Sequence, residues 1–178
     1  MANKIDLTWG DFQQSPDYCS SRKLPFTQKS LAKILLQSLT ELKGKMSRQT
    51  GPWADLLVPL KMKKLSLELH LCDDLEMRDF QKQFRKLDRS TDILSFPSLE
   101  SPDNMPEDFL GSLVISLPAI ERNAKRYKKT YRDEFLEVYL HGILHLLGFD
   151  HVDVSAKKRA QMMTLQKALL KKVLAQGL

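Results

Sequence analysis

Between His141 and His151 the chain reads His-Gly-Ile-Leu-His-Leu-Leu-Gly-Phe-Asp-His, and three of its four histidines fall in these eleven residues. No other stretch restricts the fold as much. His141 and His145 are one helical turn apart, so on a helix both imidazoles project from one face, with Cβ atoms about 5–6 Å apart. Two such side chains can converge until both ring nitrogens lie about 2.0–2.1 Å from a single zinc ion. Gly148 suits the left-handed conformation that ends a helix and turns the chain back. That turn would return His151 to the same ion as a third ligand. Three histidines with one open position describe a catalytic zinc site rather than a structural one. A His-x-x-x-His pair alone is as readily two core or surface histidines. The added glycine and third histidine favour the metal.

The same spacing constrains the reaction. Peptidases of the His-Glu-x-x-His type use the Glu beside the first ligand as general base. Here that position is Gly142, which cannot accept a proton. Ligands at first, fifth and eleventh places with glycine at the eighth otherwise reproduce the frame of the metzincin peptidases. The chain has the metal frame without the peptidase base, which argues against ordinary metalloproteolysis.

The periodicities around this stretch predict an α+β chain. At 178 residues it is expected to form one domain, 1–178, burying roughly 70% of its unfolded surface. Residues 4–9 alternate and read as a strand, 10–25 as a polar loop, and Thr27 as the cap of a helix over 28–43. Residues 44–59 read as irregular. Leu65, Leu67 and Leu69 alternate with Ser66, Glu68 and His70, a second strand. Asp73 or Asp74 starts a helix to about Arg85. Residues 92–96 form a third strand, 98–108 a surface loop and 113–116 a fourth strand. Pro118 suits the first turn of a helix over 119–129. Helices over 132–147 and 155–175 follow, the first carrying His141 and His145. The expected architecture is a small mixed four-stranded sheet covered by five helices, with the metal site on a long helix and the turn after it.

On the helix over 132–147, Glu134, Glu137, His141 and His145 share a polar stripe, while Phe135, Leu136, Tyr139, Ile143 and Leu147 are core candidates. Glu137, one turn before His141, is a candidate acceptor for the imidazole N–H that faces away from the metal. The alternative is a solvated carboxylate. Asp150 is a second candidate, or simply a turn-forming residue.

The net charge is +6, from 28 basic and 22 acidic residues, a hint of a polyanionic partner. Two segments concentrate it. Arg122, Lys125, Arg126, Lys128, Lys129 and Arg132 precede the histidines, with Tyr127 and Tyr131 interleaved. After Asp153 the chain has no acid, while Lys157, Lys158, Arg159, Lys167, Lys171 and Lys172 contribute +6. Both segments fit solvated helix faces or an RNA- or DNA-binding surface. No apolar run approaches a membrane span, and the first ten residues lack a signal-peptide core, so a cytoplasmic protein is expected. Cys19 and Cys72 are read as reduced thiols.

These residues resemble the YbeY family of bacterial endoribonucleases. The likeness rests on three matches: His141-Gly-x-Leu-His145-Leu-x-Gly148-x-Asp150-His151; Phe84-Arg85 with Thr91-Asp92-Ile93-Leu94-Ser95-Phe96-Pro97; and Leu110-Gly111 through Ser116 with the helix after it. Together they cover about residues 65–152. The resemblance implies one zinc ion per chain held by His141, His145 and His151, with Arg85 as the active-site arginine facing the metal across a cleft. It also implies a single-strand-specific endoribonuclease of ribosomal RNA processing, in small-subunit 3′-end maturation and ribosome quality control. The implied partners are ribosomal RNA, the small subunit and its proteins. A non-catalytic, metal-stabilised assembly factor would share every one of these features. Three positions depart from the family pattern: Phe84 stands where Tyr is usual, Ser90 where Pro is usual, and Ser112 where Asp usually follows the glycine. The last removes a carboxylate near the sheet.

Overall fold

The computed structural model of the protein describes residues 4–9, 24–46, 64–98, 109–149 and 155–175. Among them are strands β1 (Lys4–Trp9), β2 (Lys64–Cys72), β3 (Ile93–Pro97) and β4 (Phe109–Ser116). The helices are α1 (Gln28–Met46), α2 (Asp74–Phe80), α3 (Leu117–Tyr127), α4 (Tyr131–Leu146) and α5 (Ala156–Ala175). The strands form one mixed sheet in the order β1-β2-β4-β3, with β1 and β4 parallel to β2 and β3 antiparallel to β4. The α+β architecture read from the sequence is the one observed. Most of the expected loops, 10–23, 47–63 and 99–108, lie outside the described residues.

Period-two alternation divides the sheet into two faces. Leu65, Leu67, Leu69, Leu113 and Ile115 face α1 and α4, where they bury against Leu31, Ile34, Leu35, Phe135, Tyr139 and Ile143. Cys72, Leu94 and Val114 face the other way and pack with Met77 of α2. The helix over 28–43 extends to Met46, and Thr27 caps it as the sequence indicated: the Ser30 backbone N–H donates to Thr27 Oγ1 at 3.1 Å. β4 is longer than the apolar run 113–116 because its first half is irregular. Ser66 pairs with Phe109 and Leu67 with Gly111, so Leu110 is an extra residue in the strand. Gly111 takes a φ of +137°, and a Cβ there would collide with the Phe96 carbonyl oxygen and lie 2.9 Å from Leu146 Cδ2.

The segment after α2 departs from simple helix. Gln81–Arg85 winds as a π turn and stops at Lys86, which takes a left-handed conformation with φ 58°. Nothing in the residue pattern distinguishes this wider turn from the α-helix the sequence suggests to Arg85.

Candidate metal centre

The first turn of α4 is held by Thr130, whose hydroxyl accepts the Asp133 backbone N–H at 3.0 Å. Phe135, Leu136, Tyr139, Leu140, Ile143 and Leu144 then bury the helix. Gly142 is its closest approach to the sheet. A Cβ there would lie 2.5 Å from Ile93 Cδ1 and 2.7 Å from Leu113 Cδ2. The position that carries the base in zinc peptidases is therefore pressed onto β3 and β4, where no carboxylate fits. The helix ends in a reversal at Gly148, with φ 80°. The Gly148 N–H donates to the His145 carbonyl at 2.9 Å and the Phe149 N–H to the Leu144 carbonyl at 3.0 Å. This pair of bonds, with Phe149 buried, is the glycine-terminated helix end foreseen from the sequence.

His141 and His145 are half-buried and lie together. Their rings meet edge to face with centroids 4.6 Å apart, and the two Nε2 atoms are 3.1 Å apart. The other nitrogen of His141, Nδ1, lies 2.8 Å from Gln166 Oε1. An amide oxygen only accepts, so Nδ1 carries the proton and Nε2 keeps its lone pair. Two nitrogens on one tetrahedral zinc, each about 2.0–2.1 Å from it, stand roughly 3.3 Å apart. The pair is thus spaced and oriented for a shared cation. His151, the third expected ligand, and Asp150 lie outside the described residues. Among the described residues no group of three His, Cys, Asp or Glu gathers around one point.

The partner that orients His141 is one the sequence reading missed. Glu137 lies one turn before His141, but its carboxylate takes the Lys129 ammonium at 2.5 Å. Lys129 also reaches the buried Glu134 at 3.2 Å. Burial works against the charge of Lys129, but hydrogen bonds to Glu137 and Glu134 outweigh it and hold its pKa above the ordinary value. Gln166 comes from α5 and is buried. A signal existed: Gln166 is four residues after Met162 and three before Leu169, so a polar side chain interrupts the buried row of α5.

Arg85 ends the π turn, exposed, and no ion pair or hydrogen bond holds its guanidinium among the described residues. The chain nevertheless brings its neighbourhood and that of His145 to one end of the sheet. The Phe84 ring meets the Phe96 ring edge to face at 5.0 Å, and Phe96 pairs with Ser112 at the start of β4. From the opposite face, Leu146 reaches Gly111, beside that same pair.

The three departures from the family pattern each have a local account. Ser90 Oγ donates to Asp74 Oδ1 at 2.9 Å, as proline could not. Asp74 also receives Ser116 and both outer nitrogens of Arg122. The Arg122 guanidinium, with the two serines, holds its carboxyl below the usual range against a smaller opposing effect of burial. Ser112 Oγ donates to Glu68 Oε2 at 2.6 Å, so a carboxylate does stand at this point of the sheet, from the adjacent strand. Phe84 lies between the rings of Phe80 and Phe96.

The first basic segment is less free than its sequence suggests. Arg122 is bound to Asp74, Lys125 to Glu121 at 2.9 Å, and Lys129 to Glu134 and Glu137. Arg126 lies over the Tyr127 ring at 5.5 Å and Arg132 over Phe26 at 5.0 Å. Among the described residues no helix is long and apolar enough to cross a membrane, and Cys72 is buried, its thiol donating to the Ile115 carbonyl at 3.6 Å.

A helix with two converging imidazoles, laid on a mixed four-stranded sheet, defines the class as an α+β domain with a candidate metal centre. Comparison with known proteins narrows it. A family model described as Endoribonuclease YbeY matches residues 27–174. The chain belongs to that family. A Persephonella marina protein named Endoribonuclease YbeY is 36% identical over 118 residues, 66% of this chain and 76% of that one. One of the same name from Nautilia profundicola is 42% identical over 103 residues, 58% and 71% of the two chains. A solution structure from Thermotoga maritima, 26% identical, superposes with a TM-score of 0.53 over 97% of this chain and 90% of that one.

Proposed function

We propose that this protein is a zinc-dependent, single-strand-specific endoribonuclease of ribosomal RNA, acting in small-subunit 3′-end maturation and ribosome quality control. His141, His145 and His151 hold one zinc ion, and Arg85 binds the scissile phosphate. The observation that carries this reading is the 3.1 Å approach of the His141 and His145 Nε2 atoms, in a chain of the YbeY family.

A zinc ion bound there supplies Lewis acidity toward a phosphoryl oxygen and toward water. The chain's own residues do the rest. Gln166 fixes the His141 tautomer, so that Nε2 presents its lone pair without a rearrangement. Among the described residues no carboxylate holds Arg85, and its planar fork matches two phosphate oxygens as charge grows on them. RNA carries its own nucleophile in the 2′-hydroxyl, so the glycine at position 142 is less damaging to RNA cleavage than to peptide hydrolysis. The packing of Gly142 against Ile93 and Leu113 also disfavours a peptidase. Ribosomal RNA and the small subunit with its proteins are the proposed partners, and the cytoplasm the proposed compartment.

The test is cleavage of structured ribosomal RNA by highly purified protein, with His145→Ala prepared in parallel. Cutting by the wild type alone supports the reading. Equal cutting by both marks a contaminant. No cutting by a zinc-loaded wild type favours the non-catalytic assembly factor.

A further inference from the structure

The face of the sheet away from α4 carries a row of four rings in sequential contact. His70 on β2 meets Phe80 edge-on at 5.6 Å, Phe80 stacks on Phe84 at 6.1 Å, and Phe84 meets Phe96 of β3 at 5.0 Å. The row is anchored at its inner end. His70 is 4% exposed and its Nε2 lies 2.8 Å from Glu76 Oε1, so the sheet and α2 fix the first ring. It opens outward: Phe84 is 50% exposed. A phenylalanine that served only the core would sit deeper. This one is held rigid by two neighbouring rings and leaves half its surface in water.

The surroundings indicate what such a ring is for. From Arg78 to Arg89 the chain carries five basic and two acidic residues. Asp88 takes Arg78 and Lys82, and Arg78 draws its pKa down to about 2. Arg85, Lys86 and Arg89 remain exposed, and none of them pairs with a carboxylate among the described residues. Two of the three directly follow Phe84. A rigid, half-open ring beside unneutralised cations suits a ligand with alternating flat apolar groups and anions, which is the chemistry of a single-stranded nucleic acid. An apolar protein partner would find this cationic rim costly to bury.

We propose that Phe84 is a base-stacking platform, on which an unpaired base of the RNA lies while its flanking phosphates meet Arg85, Lys86 and Arg89. The proposal rests on the endoribonuclease reading and deepens it. It makes Phe84 a positioning residue that brings a phosphate to Arg85, and it supplies a physical basis for single-strand selectivity, because the bases of a duplex are already stacked on each other. A tyrosine offers the same flat face, so the phenylalanine at this position keeps the stacking function.

The experiment uses the full chain with Phe84→Leu, Phe84→Tyr and Phe84→Trp. Binding of a labelled single-stranded oligoribonucleotide and of its duplex is measured by anisotropy, and cleavage is measured on the same preparations. Leucine keeps apolar contact with Phe80 and Phe96 but has no flat face. Phe84→Leu should bind the single strand about tenfold more weakly or worse, the range of a lost base–aromatic stack, with duplex binding unchanged. Phe84→Tyr should restore binding to within about twofold of wild type. In Phe84→Trp the fluorescence in excess of the wild type, which carries Trp9 and Trp53, should be quenched by the single strand and not by the duplex. Wild-type single-strand affinity in Phe84→Leu, or an unquenched indole at saturating RNA, overturns the proposal. If the wild type cleaves RNA and Phe84→Leu binds and cleaves equally well, the platform fails while the endoribonuclease reading stands. If Phe84-dependent binding is found without any cleavage, the platform stands and the endoribonuclease reading fails.

Discussion

Single side chains decide whether this site works. Among the described residues Arg85 has no hydrogen-bond or ion-pair partner, so Arg85→Ala should leave zinc content and thermal midpoint near wild type. It should raise the single-turnover cleavage barrier by about 2–4 kcal/mol, the order for removing one preorganised donor to a developing oxyanion. Arg85→Lys should recover only part, keeping charge without the fork. Gln166→Leu tests the orienter. It removes the acceptor from His141 Nδ1 while preserving the buried volume, and should weaken zinc binding about 10–100-fold in a competition titration, with helix content intact. Unchanged affinity would mean the His141 ring needs no help from α5. The histidine pair was legible because helical spacing alone sets it. Gln166 was not, because its contact joins residues 25 apart in sequence. Glu137 was a candidate orienter from sequence distance, but its carboxylate pairs with the ammonium of Lys129 and Gln166 stands at His141 Nδ1 instead.

Elements position these residues, and α4 does so by lying close on the sheet. Gly142→Ala should cost about 1–3 kcal/mol of stability, since its methyl would meet Ile93 and Leu113 inside a packed layer. Chemical denaturation measures it, and a stabilised variant would show that the layer has slack. The joint between α2 and α3 depends on charge. With its folded pKa lowered from 3.8, Asp74 contributes stability that is complete above that value and is lost as pH falls through the folded one. Asp74→Asn should therefore be less stable by about 1 kcal/mol near neutrality, discounted for the exposure of Arg122. The difference should close as the pH falls through the lowered pKa of this carboxyl. A constant difference across the acid range would assign the loss to geometry instead. The helix cap at Thr27 was legible because a short oxygen-bearing side chain there has one local task, and of the two candidate aspartates it is Asp73 that caps α2, accepting the Glu76 N–H at 2.9 Å. The π turn was not, because one extra residue in a turn leaves the apolar spacing almost unaltered.

At the scale of the whole molecule, alternation in β2 and the apolar stripes of α1 and α4 were enough to give a mixed sheet covered by helices. The strand order β1-β2-β4-β3 comes from contacts between distant segments, which no local pattern encodes. Charge was the least legible property. The segment from Arg122 to Arg132 looks like the nucleic-acid face in sequence, yet folding brings Glu121, Glu134, Glu137 and Asp74 onto it. The exposed cations after Phe84, which pair with no carboxylate among the described residues, were hidden by their short, mixed context. It follows that Lys86→Gln with Arg89→Gln should lower the slope of log affinity against log salt for single-stranded RNA by about 1.4, at about 0.7 per phosphate contact. Lys125→Gln should change it little, and the reverse order would return RNA to the α3 surface. In the proposed function one metal ion on the three histidines drives RNA cutting. Its most direct test is to strip the purified protein of metal and titrate zinc back, reading bound zinc and the rate of single-stranded RNA cleavage together. The rate should rise in proportion to bound zinc and level at about one ion per chain, with His145→Ala showing neither. Cleavage at full rate without zinc, or zinc bound stoichiometrically by His145→Ala, would contradict it.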